Sequence, residues 1–293
     1  MPIGVESAHG FGDICFNISL IRELKNKYND EMWVAARTHC KDALFNIPWV
    51  DKIVEIQEMG QGIIKLKDMG CDPVFQITQN VKFVEFNPHG FANPFVPEMD
   101  LGVLCEGDAW SHSLVHTPLW TGRQLHCPPN FDNKPIFIPT DDEILKTESM
   151  VQDRPTIAIE SVYTSGQSWS DKRAIDAIVS KYADTHRILW LSNQGAPEIT
   201  AVDDMLRFTR RECISCLRTC DIFFSVGSGF FCASLGLPEA LQPKKIVCLW
   251  TDDVYKYEDP LNEYKWHPDI TWIHNHDELN EWILQSTNQP TNS

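Results

Sequence analysis

The stretch HGFGDICF, from His9 to Phe16, decides how the rest of this chain is read. Before it lies a short apolar run, Ile3 to Val5. After it, apolar residues fall at Ile14, Ile18, Ile21, Leu24 and Tyr28, the spacing of one helix face. A strand, a glycine-bearing turn and a helix are therefore expected, with Gly10 and Gly12 in the turn, where the missing Cβ lets another molecule approach the backbone. Asp13 then stands at the mouth of the first helix, where a carboxylate can cap the helix or do chemistry.

Working outward, the pattern repeats. MWVAA (32 to 36), a helical stretch from Lys41 to Phe45, a strand at Ile53 to Ile56, a helix from Ile63 to Met69 and the strand PVFQI (73 to 77) follow in order. Strands separated by helices indicate a parallel sheet covered on both faces. Residues 137 to 155 give a strand end, a Thr140 cap, an acidic helical turn and a polar stretch suited to a linker. A second array then begins. It has strands at TIAIES (156 to 161), RILWLS (187 to 192), DIFFSV (221 to 226), KIVCLW (245 to 250) and ITWIH (270 to 274). Its helices are expected from Ser170 to Tyr182, Cys213 to Cys220, Phe230 to Leu235 and Asp277 to Leu284. The fold class is α/β: two Rossmann-like βαβ domains, an N-terminal one over residues 1–145 and a C-terminal one over 151–293, each close to the usual domain size.

Composition narrows the function. The hydrophobic share is 43% and the charged share 23%, as in ordinary folded proteins. The formal net charge is -16, and it is spread evenly. Residues 1 to 150 carry 12 Lys and Arg against 21 Asp and Glu, and residues 151 to 293 carry 13 against 20. No basic face stands out, which disfavours sequence-independent attachment to nucleic acid or anionic lipid. The N-terminus lacks the basic flank and apolar core of a signal peptide, and no run approaches membrane-spanning length, so a cytoplasmic location without stable membrane insertion is expected.

Ten cysteines without an export signal are expected to be reduced thiols. Cys213, Cys216 and Cys220 invite a metal reading, but they have helical spacing and no fourth ligand, so buried helix packing is expected and no metal site is assigned. Eight prolines between residues 87 and 139 mark a long loop region with His112, His116 and His126 in it. GFGD also lacks the third glycine of the dinucleotide fingerprint, which argues against an NAD enzyme.

HGFGDICFNISLIRELKNKYNDEMWVAA followed by FNIPWVDKIVEI resembles the opening of the family 9 glycosyltransferases, the heptosyltransferase-like group. There a GxGD turn leads into a helix ending in a basic LK, then a strand and an NPxVD element. TIAIESVYTSGQSW resembles the start of that family's donor domain, and LRTCDIFFSVGSGFFCASLG its ADLFVGxDSG…AxxLG segment. Gln167 replaces the usual lysine before the tryptophan, Gly227 replaces the Asp of DSG, and the following histidine is missing. The resemblance implies a GT-B arrangement, two domains facing across a cleft, and an inverting, metal-independent sugar transfer from a nucleotide-diphosphate sugar.

Such a transfer needs a base, donors for the departing diphosphate and exclusion of water. Asp13 is the expected base, on an acceptor-side turn formed by His9, Gly10 and Gly12. Ser165, Gly166, Gln167, Lys172, Ser228 and Gly229 are the expected donor-binding residues, offered by two strand-to-helix turns with exposed amides. The expected partners are a nucleotide sugar, as co-substrate rather than cofactor, and a glycan or other hydroxyl acceptor. Transfer to hydroxymethylated DNA bases and a degenerate, binding-only fold are the alternatives.

Overall fold

The computed structural model describes residues 1–7, 10–58, 60–77, 134–148, 154–160, 171–191, 202–204, 208–249 and 270–286. The described residues fall into two compact units parted between Ile138 and Pro139.

In the first unit, β1 (Ile3–Glu6), α1 (Phe11–Tyr28), β2 (Met32–Arg37), β3 (Lys52–Ile56), α2 (Gln61–Asp68) and β4 (Val74–Gln76) follow in order, with a 3-10 turn at Lys41–Leu44. The strands form one parallel sheet in the order β3-β2-β1-β4, with Val5 opposite both Val34 and Phe75. All four residues of β1 are buried, the pattern of a central parallel strand covered on both faces. From Phe11 to Ile21 α1 is buried almost all round, and only its last two turns show a solvent face. Lys134 to Ile138 dock on this helix: the Ile136 N–H donates to the Cys15 carbonyl at 2.9 Å, and Phe137 packs on Phe11 with ring centroids 6.2 Å apart.

The LK and PWVD elements meet in space. The Lys25 ammonium donates to Asp51 Oδ2 at 2.6 Å, and the same oxygen accepts the Met32 N–H at 2.6 Å. Asp51 thereby ties the end of α1 to the start of β2. Burial works to raise its pKa, but the bonds from Lys25 and Met32 outweigh it and hold the carboxyl below its ordinary range.

The second unit contains α3 (Asp141–Glu148), β5 (Thr156–Glu160), α4 (Lys172–Tyr182), β6 (Arg187–Leu191), β7 (Val202–Asp204), α5 (Arg210–Cys216), β8 (Ile222–Ser225), α6 (Gly229–Gly236), β9 (Lys245–Leu249), β10 (Ile270–Ile273) and α7 (His276–Ser286). Its parallel sheet has the order β10-β9-β8-β5-β6-β7. Ile157, Ile159, Trp190, Phe224, Val247 and Leu249 from the strands meet Ile178 and Tyr182 of α4 and Leu279 of α7 in one core. Phe224 packs edge-on against Trp282 at 5.5 Å.

Two helix starts are secured by reciprocal caps. The Glu143 N–H donates to Thr140 Oγ1 while the Thr140 N–H donates to Glu143 Oε2, and Thr209 and Glu212 repeat the arrangement on α5. The two caps are then cross-linked, Arg211 to Glu143 at 2.6 Å and Lys146 to Glu212 at 2.6 Å. α3 is thus part of the second unit, although the sequence reading divides it between the first domain and a linker.

Three local expectations are corrected. Gly12 is not in a turn: α1 starts at Phe11, so Gly10 alone occupies the cap and Gly12 is in the first helical turn. The Asp13 carboxylate sets that start by accepting the Gly10 N–H. Second, the helix expected over Cys213 to Cys220 is α5, which begins at Arg210 under the Thr209 cap, ends at Cys216 and tightens into a 3-10 turn, Leu217–Thr219. Third, β7 is a strand that the sequence reading leaves out, because two of its three residues are aspartates, which strands disfavour.

Candidate functional site

In both sheets the first strand is central, and the chain runs outward on one side before crossing to the other. The order reverses between β1 and β4 in the first unit and between β5 and β8 in the second. Open α/β sheets bind ligands outside the carboxyl ends of their strands at such switch points. Each of these two points carries a buried glutamate at the end of the first strand, in the matching sequences IGVES (3 to 7) and IAIES (157 to 161).

At the first switch point Glu6 is engaged structurally. Its carboxylate accepts the backbone N–H groups of Gly60 and Ile63, capping the start of α2. Gly62 makes this possible: a Cβ there would lie 2.7 Å from Ala35 Cβ and 2.9 Å from Glu6. Ser7, just beyond, accepts a bond from the buried Asn17 amide at 3.0 Å, which locks the exit of β1 onto α1. Asp13 stands at the third position of α1, partly exposed, and its Oδ2 accepts the Gly10 N–H at 2.9 Å. The carboxylate is thus held in one orientation beside the positive end of the helix, with one of its two oxygens used for capping. Both readings of Asp13, cap and base, are compatible in one side chain. His9, assigned to the same turn, lies outside the described residues.

At the second switch point the sheet delivers Glu160 and Ser225 side by side from β5 and β8. The Ser225 hydroxyl donates to Glu160 Oε2 at 3.0 Å, and the Ser228 hydroxyl donates to Glu160 Oε1. Ser228 is also the N-cap of α6, its oxygen accepting the Phe230 N–H at 3.0 Å. Gly227 carries φ 68°, a left-handed conformation natural for glycine, and this sharp turn brings Ser228 back over Glu160. Glu160 is 2% exposed. Burial pushes its pKa up to about 7, although bonds from Ser228, Ser225 and the Val226 amide pull the other way.

Ser228 and Gly229 therefore stand at the N-terminus of a buried helix at a switch point, as the sequence suggests. Ser228, however, gives its hydroxyl hydrogen to Glu160. Glu160 is absent from the sequence-based site. Its signal was legible, an acidic residue closing an apolar strand, twice, each time followed by serine. Lys172 opens α4 with its ammonium 2.7 Å from Asp176 and its side chain 81% exposed. Ser165, Gly166, Gln167 and the histidines at 112, 116 and 126 lie outside the described residues.

Cys213, Cys216 and Cys220 are buried thiols. Burial raises Cys216 to about 11 and Cys220 further, which keeps them protonated. Among the described residues no three His, Cys, Asp or Glu side chains are grouped to hold a metal ion, and no helix is long and apolar enough to cross a membrane.

Two parallel α/β units, each with a helix start at its switch point, define the fold class of the GT-B glycosyltransferases. Solved structures narrow this. The E. coli ADP-heptose lipopolysaccharide heptosyltransferase II matches with a TM-score of 0.62 at 16% identity, over 98% of this chain and 100% of that one. A family 9 glycosyl transferase from Veillonella parvula matches at 0.65 and 12%, over 99% and 90%. E. coli heptosyltransferase WaaC, solved with ADP, matches at 0.61 and 10%, over 98% of each. The chain has the fold of these heptosyltransferases. No family model matches the sequence, and no curated protein does.

Proposed function

We propose that this protein is a glycosyltransferase that moves a sugar from a nucleotide-diphosphate sugar to an acceptor hydroxyl with inversion and without a metal. The observation that carries this reading is the α6 N-terminus at the β5/β8 switch point, in a chain that shares the fold of a heptosyltransferase solved with ADP. The positive end of a helix attracts a diphosphate and stabilises the charge that grows on it as it leaves.

Asp13 takes the proton of the acceptor hydroxyl as that oxygen attacks the anomeric carbon. The bond from that carbon to the diphosphate oxygen breaks, and the electron pair leaves with the nucleotide. Ser228 and Gly229 hold the departing group from α6. Ser165, Gly166 and Gln167 are assigned to the same end of the second unit from sequence, with Lys172 at the start of the next helix. A cytoplasmic location belongs to this proposal, and the acidic balance favours a glycan or other small hydroxyl acceptor over DNA.

The test is incubation with a panel of nucleotide sugars, with and without acceptors and chelator, reading nucleotide release by mass spectrometry. Release that persists in chelator is expected. Release abolished by chelator removes the metal-free part, and binding without release identifies a binding-only protein. Asp13→Asn keeps an oxygen that can accept the Gly10 N–H. It is expected to lower turnover by about 100-fold or more while leaving donor binding and melting temperature nearly unchanged. Full turnover per folded molecule in this variant would leave Asp13 as a cap alone.

A further inference from the structure

We propose that Glu160 is the positioning residue of the donor site and that it takes up a proton when the nucleotide sugar binds, which turns the Ser228 hydroxyl from Glu160 toward the diphosphate. This rests on the placement of the diphosphate at the α6 N-terminus.

The geometry sets the problem. Ser228 spends its single hydrogen on Glu160 Oε1 and one lone pair on the Phe230 N–H, so it has no hydrogen for a phosphate. A carboxylate directly behind the helix start also repels the anion that the helix attracts. One proton removes both obstacles. Protonated at Oε1, Glu160 donates to Ser228 Oγ, whose two lone pairs are then filled by Glu160 and Phe230. Its hydrogen is released to point outward. The proton comes from the buffer acid, whose bond to it breaks as the O–H bond of the Glu160 carboxyl forms.

The surroundings suit such a switch. The groups facing Glu160 among the described residues are Ser225 on β8, Ser228 at the start of α6 and the thiol of Cys248 on β9. Burial raises the Cys248 pKa well above its ordinary value, so that thiol stays neutral. With no charged partner among them and 2% exposure, the Glu160 carboxyl is brought by burial to a pKa of about 7, where one proton is exchanged at little cost.

The experiment is isothermal titration of the tightest binder among ADP-glucose, UDP-glucose and related nucleotide sugars, whose doubly esterified diphosphate has no titratable proton near neutrality. It is run at pH 6 and pH 8 in buffers of different ionisation enthalpy. Wild-type protein is expected to bind about tenfold more weakly at pH 8 than at pH 6, taking up close to one proton per ligand at pH 8. Glu160→Gln mimics the protonated acid, since its amide donates to Ser228. It is expected to bind at pH 8 as tightly as wild type does at pH 6, with no buffer-dependent heat. Wild-type binding with no proton uptake and no pH slope overturns the role of Glu160 while leaving the donor site in place. Proton uptake that survives in Glu160→Gln overturns it as well. Failure of both proteins to bind any nucleotide sugar overturns the donor site and this inference together. Should Glu160→Gln not fold, proton uptake by the wild type decides.

Discussion

Gly227 shows why a departure from a family pattern has to be judged on the backbone. It stands where the resembling sequences carry the Asp of DSG, and its φ of 68° is a conformation in which an ordinary Cβ costs about 1 to 2 kcal/mol. Asn and Asp tolerate that region better than Ala. Gly227→Ala is therefore expected to lower stability by about 1 to 2 kcal/mol in thermal or denaturant unfolding, and Gly227→Asn by clearly less. Equal losses would show that the space around the residue, and not its φ, is limiting. Asp13 teaches a related lesson. A carboxylate three residues after the cap is explained by capping alone, so its chemical role has to be separated from its structural one by a variant that keeps the cap.

Among elements, the pairing of α3 with α5 is held by side chains that also start each helix. Glu143 accepts both from the Thr140 N–H and from Arg211, whose side chain is 4% exposed. Removing the carboxylate takes the Glu143 charge away from a buried guanidinium and frays the first turn of α3. Glu143→Ala is expected to destabilise the protein by about 3 kcal/mol or more. In the double variant Glu143→Ala with Arg211→Met, part of that loss is recovered, because the buried charge is gone. A double variant no better than the single would assign the cost to the lost cap. Lys146–Glu212 is more open, with Lys146 55% exposed, and its removal is expected to matter much less.

Over the whole molecule, Glu160 ties stability to pH. Its folded pKa of about 7 lies above its ordinary 4.5, so the folded chain holds a proton that the unfolded chain gives up. The sign follows: stability from this group is complete below about pH 4.5 and is lost as pH rises through 7, by about 3 kcal/mol in all. Unfolding free energies measured across that window are expected to fall for wild type relative to Glu160→Gln, with the gap between them widening toward pH 7. A constant gap would mean that the carboxyl titrates in the folded chain as it does in the unfolded one.

The order of elements was legible along the chain because period and punctuation are local. Apolar runs four to six residues long between helical patterns already imply buried parallel strands, and the Thr140 cap is a matter of residues three apart. The boundary of α1 was less legible, since whether Gly12 turns or coils depends on a bond from Asp13 back to Gly10. β7 was invisible, because its aspartates are poor strand formers and the pairing with β6 decides the matter. Ser228 could be read as the start of a helix from GSG alone. That its hydrogen goes to Glu160, 68 positions earlier, could not. Local sequence sets which backbone states are cheap, whereas the partners of a buried carboxylate are set by which strands lie side by side, and strand order is decided only when the sheet closes around its core.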